Sequence, residues 1–169
     1  MKKNKGFTLI ELLVVVLIIG ILSAISIPRY FKTIAKTQTS EAMVVLKNVA
    51  DAQKRYFFLK DTYANTFDSL DLSFINEDGS RALGNVYTTK NYTYTLNLVG
   101  EDGTITSGNV VAEPRASLTA CTITYQFVPF RDITCTDGPN GAGLCNSLGI
   151  IVVEQQNNEN PPEDEGDGD

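Results

Sequence analysis

The sequence contains no histidine, only three cysteines, and no basic residue between Lys5 and Arg29. Without an imidazole the usual nucleophile–histidine–acid triads are excluded, and a zinc site loses its commonest nitrogen ligand. No serine, cysteine or carboxylate pair downstream has the partners that catalysis needs, so the expectation is a chain that is not an enzyme, with no catalytic residue, metal or cofactor. A cationic field is also missing: from Phe7 to Val153 there are 11 bases against 13 acids, the 14 and 20 of the whole chain less three lysines before and seven acids after. That balance offers nothing to a polyanion, and nucleic-acid binding is not expected. The last sixteen residues carry no base at all, while Glu154, Glu159, Glu163, Asp164, Glu165, Asp167 and Asp169 supply seven acids. Residues 154–169 are too polar to bury anything and are expected to be a disordered acidic tail, without the spacing of a calcium loop.

What the sequence does have is an apolar run. Phe7 to Ile27 makes 21 residues, with no charge from Leu12 onward. As a helix the run is about 32 Å long, enough to cross a bilayer. Lys2, Lys3 and Lys5 precede it, an arrangement that holds the amino end in the cytoplasm. The run is longer than the apolar core of a cleavable signal peptide, and Ile27-Pro28-Arg29-Tyr30 is a poor signal-peptidase flank, so the segment is expected to be retained. Glu11 stands alone near its start, where an unpaired carboxylate costs on the order of a few kcal/mol. The run shows no partner for it. Removal of the lysine-rich leader creates an α-amino group at Phe7, and an amine of this kind on a neighbouring chain is the partner that the charge calls for. Gly20 and Pro28, a poor helix former and a residue without an amide hydrogen, mark where this helix is expected to kink or stretch.

Gly6 followed by Phe7-Thr8-Leu9-Ile10-Glu11-Leu12 resembles the cleavage and methylation motif of type IV prepilins and of the pseudopilins of type II secretion, a similarity that extends to about Tyr30. The resemblance implies a dedicated membrane prepilin peptidase that cuts between Gly6 and Phe7 and also methylates Phe7. It implies that Glu11 is the assembly residue, neutralising the terminal amine of an adjacent subunit, and that Gly20 and Pro28 bound a flexible stretch in the fibre. The implied partners are related pilin subunits, an inner-membrane assembly platform, and the membrane itself before assembly. The implied location is the bacterial inner membrane for the precursor and an extracellular pilus or periplasmic pseudopilus for the product. A pseudopilin remains one alternative, and a passively anchored exported binding module another; the second tolerates Glu11→Leu.

Beyond Pro28 the pattern turns amphipathic: Phe31, Ile34, Ala42, Val45, Val49, Ala52, Tyr56 and Leu59 recur mostly at spacings of three and four, which predicts one continuing helix with a single core-facing stripe. Turn formers dominate 61–90, read as an irregular loop. Alternation predicts strands at Tyr92–Leu98 and Cys121–Phe127, with shorter pieces at 105–111 and 149–153 and a turn at Glu101-Asp102-Gly103. The expected fold is α+β and pilin-like: leader 1–6, transmembrane and assembly helix 7–28, its amphipathic continuation 29–60, a head with a small antiparallel sheet at 61–153, and the tail.

An exported domain meets oxidising conditions, so its cysteines are read first as disulfides. Cys135 and Cys145 bracket a flexible Gly/Pro/Asn-rich stretch and are the preferred pair, with Cys121 a buried small hydrophobe. A Cys121–Cys135 pair stays open. The resemblance points toward the first, since many type IV pilins close a C-terminal loop with a disulfide.

Overall fold

A computed structural model of the chain describes residues 6–101, 104–115, 120–128, 132–138 and 143–152. The leader lysines, the tail 154–169 and much of the predicted turn at 101–103 lie outside the described residues.

One helix dominates. Helix α1 runs from Leu9 to Lys60 without interruption, with Gly20 and Pro28 inside it. Its two halves differ in what surrounds them. The apolar half, 9–27, has no buried residue. Past it, one stripe is covered: Ala35, Thr39, Ala42, Leu46, Val49, Ala50, Ala52 and Gln53 are buried, and the small residues among them let the helix lie close to the sheet. Of the predicted stripe, Ala42, Val49 and Ala52 are buried and Ile34, Val45 and Tyr56 half-buried, while Phe31 and Leu59 are exposed. The helix ends at Asp61, whose left-handed backbone (φ 55°) lets its N–H donate back to the Phe57 carbonyl; this is a C-cap of the αL type.

The sheet has six strands in sequential order: β1 Val86–Thr88, β2 Tyr92–Glu101, β3 Thr104–Pro114, β4 Thr122–Val128, β5 Asp132–Thr136 and β6 Ile151–Val152. The first five form an antiparallel meander and β6 joins β5 in parallel. A short helix, α2 (Leu144–Ser147), precedes β6. The two strands read most directly from alternation, β2 and β4, are not neighbours; β3 lies between them. Tyr92, Tyr94 and Leu96 of β2, Val110 and Ala112 of β3, and Ile123 and Phe127 of β4 point inward and meet α1 in one core. Gly108 shares that face at a register shift between β3 and β4, where a Cβ would strike the Phe127 ring.

The segment 61–85 carries no strand, yet it is packed. Phe67 begins a 3-10 turn (Phe67–Ser69) and is buried with Ala64, Leu70, Phe74 and Ala82. Phe67, Phe74 and Tyr87 lie edge-on or tilted, with ring centroids 5.0–5.8 Å apart. Such contacts add about 0.5–1.5 kcal/mol each beyond area burial. Its polar side chains serve the backbone: the Gly84 N–H donates to Asp68 Oδ1 at 3.0 Å and the Thr88 N–H to Asn76 Oδ1 at 3.0 Å.

Candidate assembly site

The start of α1 positions Glu11 through a reciprocal cap. The Glu11 N–H donates to Thr8 Oγ1 at 3.3 Å, while the Thr8 N–H and the Thr8 hydroxyl both donate to Glu11 Oε2 at 2.8 Å. Threonine at the cap and glutamate three residues on form a capping box, satisfying two otherwise orphaned donors of the first turn. The sequence reading saw no partner for Glu11 within the run; the structure corrects this, because Thr8 is one. The signal lies in Thr8-Leu9-Ile10-Glu11, which has capping-box spacing. An isolated helix end thus holds the carboxylate by hydrogen bonds from neutral groups, with no opposite charge beside it among the described residues.

Phe7 is 89% exposed, and no described residue approaches within 4 Å of where a Cβ on Gly6 would stand, so the Gly6–Phe7 peptide is uncovered among the described residues. Along the helix, Leu9, Ile10, Leu12, Ile18, Ile19 and Leu22 lie at least half exposed and, at 100° per residue, on every face. α1 is the one described helix long and apolar enough to cross a membrane. A Cβ at Gly20 would meet nothing within 4 Å among the described residues, and Pro28 lies inside the continuous helix.

At the other end of the molecule the head closes a covalent loop. Cys135 and Cys145 form a disulfide with Cα atoms 5.7 Å apart. Asp137 braces it, accepting from the Gly143 N–H at 2.7 Å and the Cys145 N–H at 2.8 Å. Cys121 is free and buried, which leaves the alternative pairing unrealised, but its sulfur lies within 4.8 Å of the other two. Burial pushes its thiol above the ordinary value, against a bond to Thr39 that lowers it. Because two of the three sulfurs are joined, the cluster is not a thiolate ligand set.

Two buried polar groups missed by the sequence reading tie α1 to the head. Gln53 donates to the Ala64 carbonyl at 2.7 Å and accepts from the Ala64 N–H at 2.9 Å. Thr39 meets the Tyr92 hydroxyl at 3.2 Å, and that hydroxyl donates to the Cys121 carbonyl at 3.1 Å. Burial raises the Tyr92 phenol to about 12. Neither pairing has a short sequence signature, since the partners are 11 and 53 residues away.

The profile described as the prokaryotic N-terminal methylation motif matches residues 1–27. Over 79 residues the chain is 47% identical to the type IV major pilin protein PilA of Myxococcus xanthus, a match covering 47% of this chain and 35% of that protein. It is 60% identical over 43 residues to a fimbrial protein of Pseudomonas aeruginosa, covering 25% of this chain and 28% of that one. To the type IV major pilin protein PilE1 of Neisseria gonorrhoeae it is 43% identical over 54 residues, covering 32% and 33%. The matched segments thus span about a third of each relative's length. With the long helix, the antiparallel meander and the disulfide loop on the same chain, the protein carries the prepilin-type methylation motif on a pilin-like α+β fold, and the curated proteins it resembles are type IV pilins and fimbrial proteins.

Proposed function

We propose that this chain is a structural subunit of a type IV pilus-like extracellular filament, stored in the inner membrane with its amino end inside, cut between Gly6 and Phe7, methylated at Phe7, and assembled by packing of its N-terminal helix. The observation that carries this reading is the uncovered half of α1. An apolar helix exposed all round needs lipid or other helices around it, and 9–27 supplies that surface on every face while the head covers only the other half. A bilayer accounts for the stored precursor, and a bundle of the same helix from other copies accounts for the fibre.

In this reading Glu11 meets the new amine of Phe7 on an adjacent subunit. A carboxylate accepts several hydrogen bonds at once, so the Thr8 cap holds the acid while the precursor waits and leaves lone pairs for the incoming charge. Prepilin peptidase and methyltransferase, an inner-membrane platform and further pilin subunits are the partners that this route requires. The resemblance to major pilins and the disulfide-closed loop on the head favour a surface pilus over a secretion pseudopilus.

The deciding experiment shears filaments from cells and determines the mass and sequence of the subunit's amino end. Methylated Phe7 as the first residue in abundant fibres is the expected result. An intact Met1 confined to the membrane fraction, or a cut that removes the whole apolar run, overturns the reading.

A further inference from the structure

Five bases on α1 fall on one line. Arg29, Lys32, Lys36, Lys47 and Lys54 are spaced by 3, 4, 11 and 7 residues, which at 100° per residue places them within a sector of about 60°. All five are exposed, and none is in an ion pair among the described residues, whose salt bridges are Arg55–Asp71 and Arg115–Glu77. Asp51 is the acid adjoining the line; Glu41 sits on the far flank of the helix, where it accepts from Asn91. Two contacts fix which side of the head the line faces. Lys36 Nζ reaches the Ser147 carbonyl of α2 at 3.5 Å, and Lys54 lines a groove of about 180 Å³ with Tyr63 and with Phe127 of β4. The basic line therefore runs along the flank of α2 and the β4–β6 side of the sheet.

The chain leaves the described structure at the same place. β4 starts beside Thr39, since Cys121 contacts that residue, and ends beside Phe57 through Tyr63 and Phe127. β5 returns toward Thr39, and β6 runs parallel to it, with Val152 paired to Cys135. Val152 thus lies one strand spacing, about 4.8 Å, beyond a residue whose sulfur is within 4.8 Å of Cys121. The chain exits at the level of Thr39, between Lys36 and Lys47. Residues 154–169 then carry seven acids and no base. Sixteen residues reach up to about 50 Å, whereas the helix rises only about 38 Å from Arg29 to Lys54.

We propose that residues 154–169 dock on the Arg29–Lys54 line of the same chain, an acidic segment lying along a basic helix flank. Charge complementarity, point of exit and reach select this occupant over a second copy of the head, which has no comparable run of acid. The contact is exposed and electrostatic, so it is salt-sensitive. It covers cationic side chains that otherwise stand exposed along the helix flank.

The test is zero-length carbodiimide cross-linking of the full chain in non-ionic micelles, using a mixture of unlabelled and 15N-labelled chains. Expected are links from 154–169 to Lys32, Lys36, Lys47 or Lys54 within one isotope form, falling by about fivefold or more between about 20 mM and about 500 mM salt. Lys60 and Lys90 lie off the line and are expected to link far less. Replacing Lys32, Lys36, Lys47 and Lys54 together by glutamine, with circular dichroism unchanged, is expected to leave the segment linked to no preferred site. Links of mixed isotope, which assign the flank to a second copy, links spread equally to Lys60 and Lys90, or a yield indifferent to salt each overturn the proposal.

Discussion

The two halves of α1 are one continuous helix built on opposite principles. In 9–27 the apolar side chains surround the axis and no described residue buries them; from Ala35 to Gln53 they form one stripe sealed against the sheet. The contrast shows that helical hydrophobicity has two separate uses. A stripe states that the chain supplies its own partner, and a full cylinder states that the partner comes from outside. Hydrogen bonding follows the same division: the buried half settles its polar groups within the head through Thr39 and Gln53, whereas the exposed half has its single acid capped by Thr8.

The comparison is broken most severely by Glu11→Leu. In the reading proposed above it reduces recovered fibres by about tenfold or more, since an intramembrane charge pairing of a few kcal/mol is lost, while the unfolding midpoint of the head stays unchanged. Electron microscopy of sheared fractions and urea unfolding followed by tyrosine circular dichroism read the two effects separately. Normal fibre numbers from the variant mean that the helix is a passive anchor.

Stability changes sharpen the division. Leu46→Ala, in the stripe, is expected to destabilise the head by about 2–5 kcal/mol, and Leu17→Ala, in the cylinder, by less than about 0.5 kcal/mol, both measured by urea unfolding in micelles. Equal effects mean that the two halves fold as one cooperative unit. Replacing Cys135 and Cys145 together by serine is expected to cost about 2–3 kcal/mol for a loop of 10 residues. The double replacement matters because Cys121 stands close enough to take up a single orphaned partner.

The smallest effect is a pH dependence confined to the head. Asp71 is held below the ordinary carboxylate range by its bidentate bond from Arg55 (2.5 and 2.8 Å), Asp68 by the Gly84 N–H, and Asp78 by Ser80. A carboxylate depressed in the folded state contributes stability that is fully present above its unfolded value, near 3.9, and lost as pH falls through its lowered folded value. Unfolding midpoints are expected to be flat from neutral pH to about 5 and to decline below, with a shallower decline in Asp71→Asn. A midpoint that rises on acidification contradicts this sign.

Much of this was legible because periodicity reports burial. The 3.6-residue stripe gave α1 its length, and alternation at Tyr92-Thr93-Tyr94 and Ile123-Thr124-Tyr125 gave β2 and β4. β3 was read only as a fragment because its inward residues are Gly108, Val110 and Ala112, small enough to weaken the alternation. β5 has only five residues, too few for alternation to mark it. The strands follow one another as a meander, each antiparallel to the last until β6, so what no local pattern reports is the docking of α1 on the sheet, as between Thr39 and Tyr92, 53 residues apart. Thr8 was in plain view at capping-box spacing, whereas Gln53 gave no sign, as a glutamine on an amphipathic helix ordinarily faces water.

Gln53 has one more consequence, for forces applied along the axis of α1. A slide of the helix by one turn strips both polar atoms of its amide from Ala64 and at the same step parts Thr39 from Tyr92. Buried groups left bare in this way cost about 1–3 kcal/mol each, so the two keys act together and no neighbouring register satisfies either. Tension entering at the membrane end therefore reaches the sheet as shear across a ratchet with a single tooth position, and the head follows its helix as one rigid passenger.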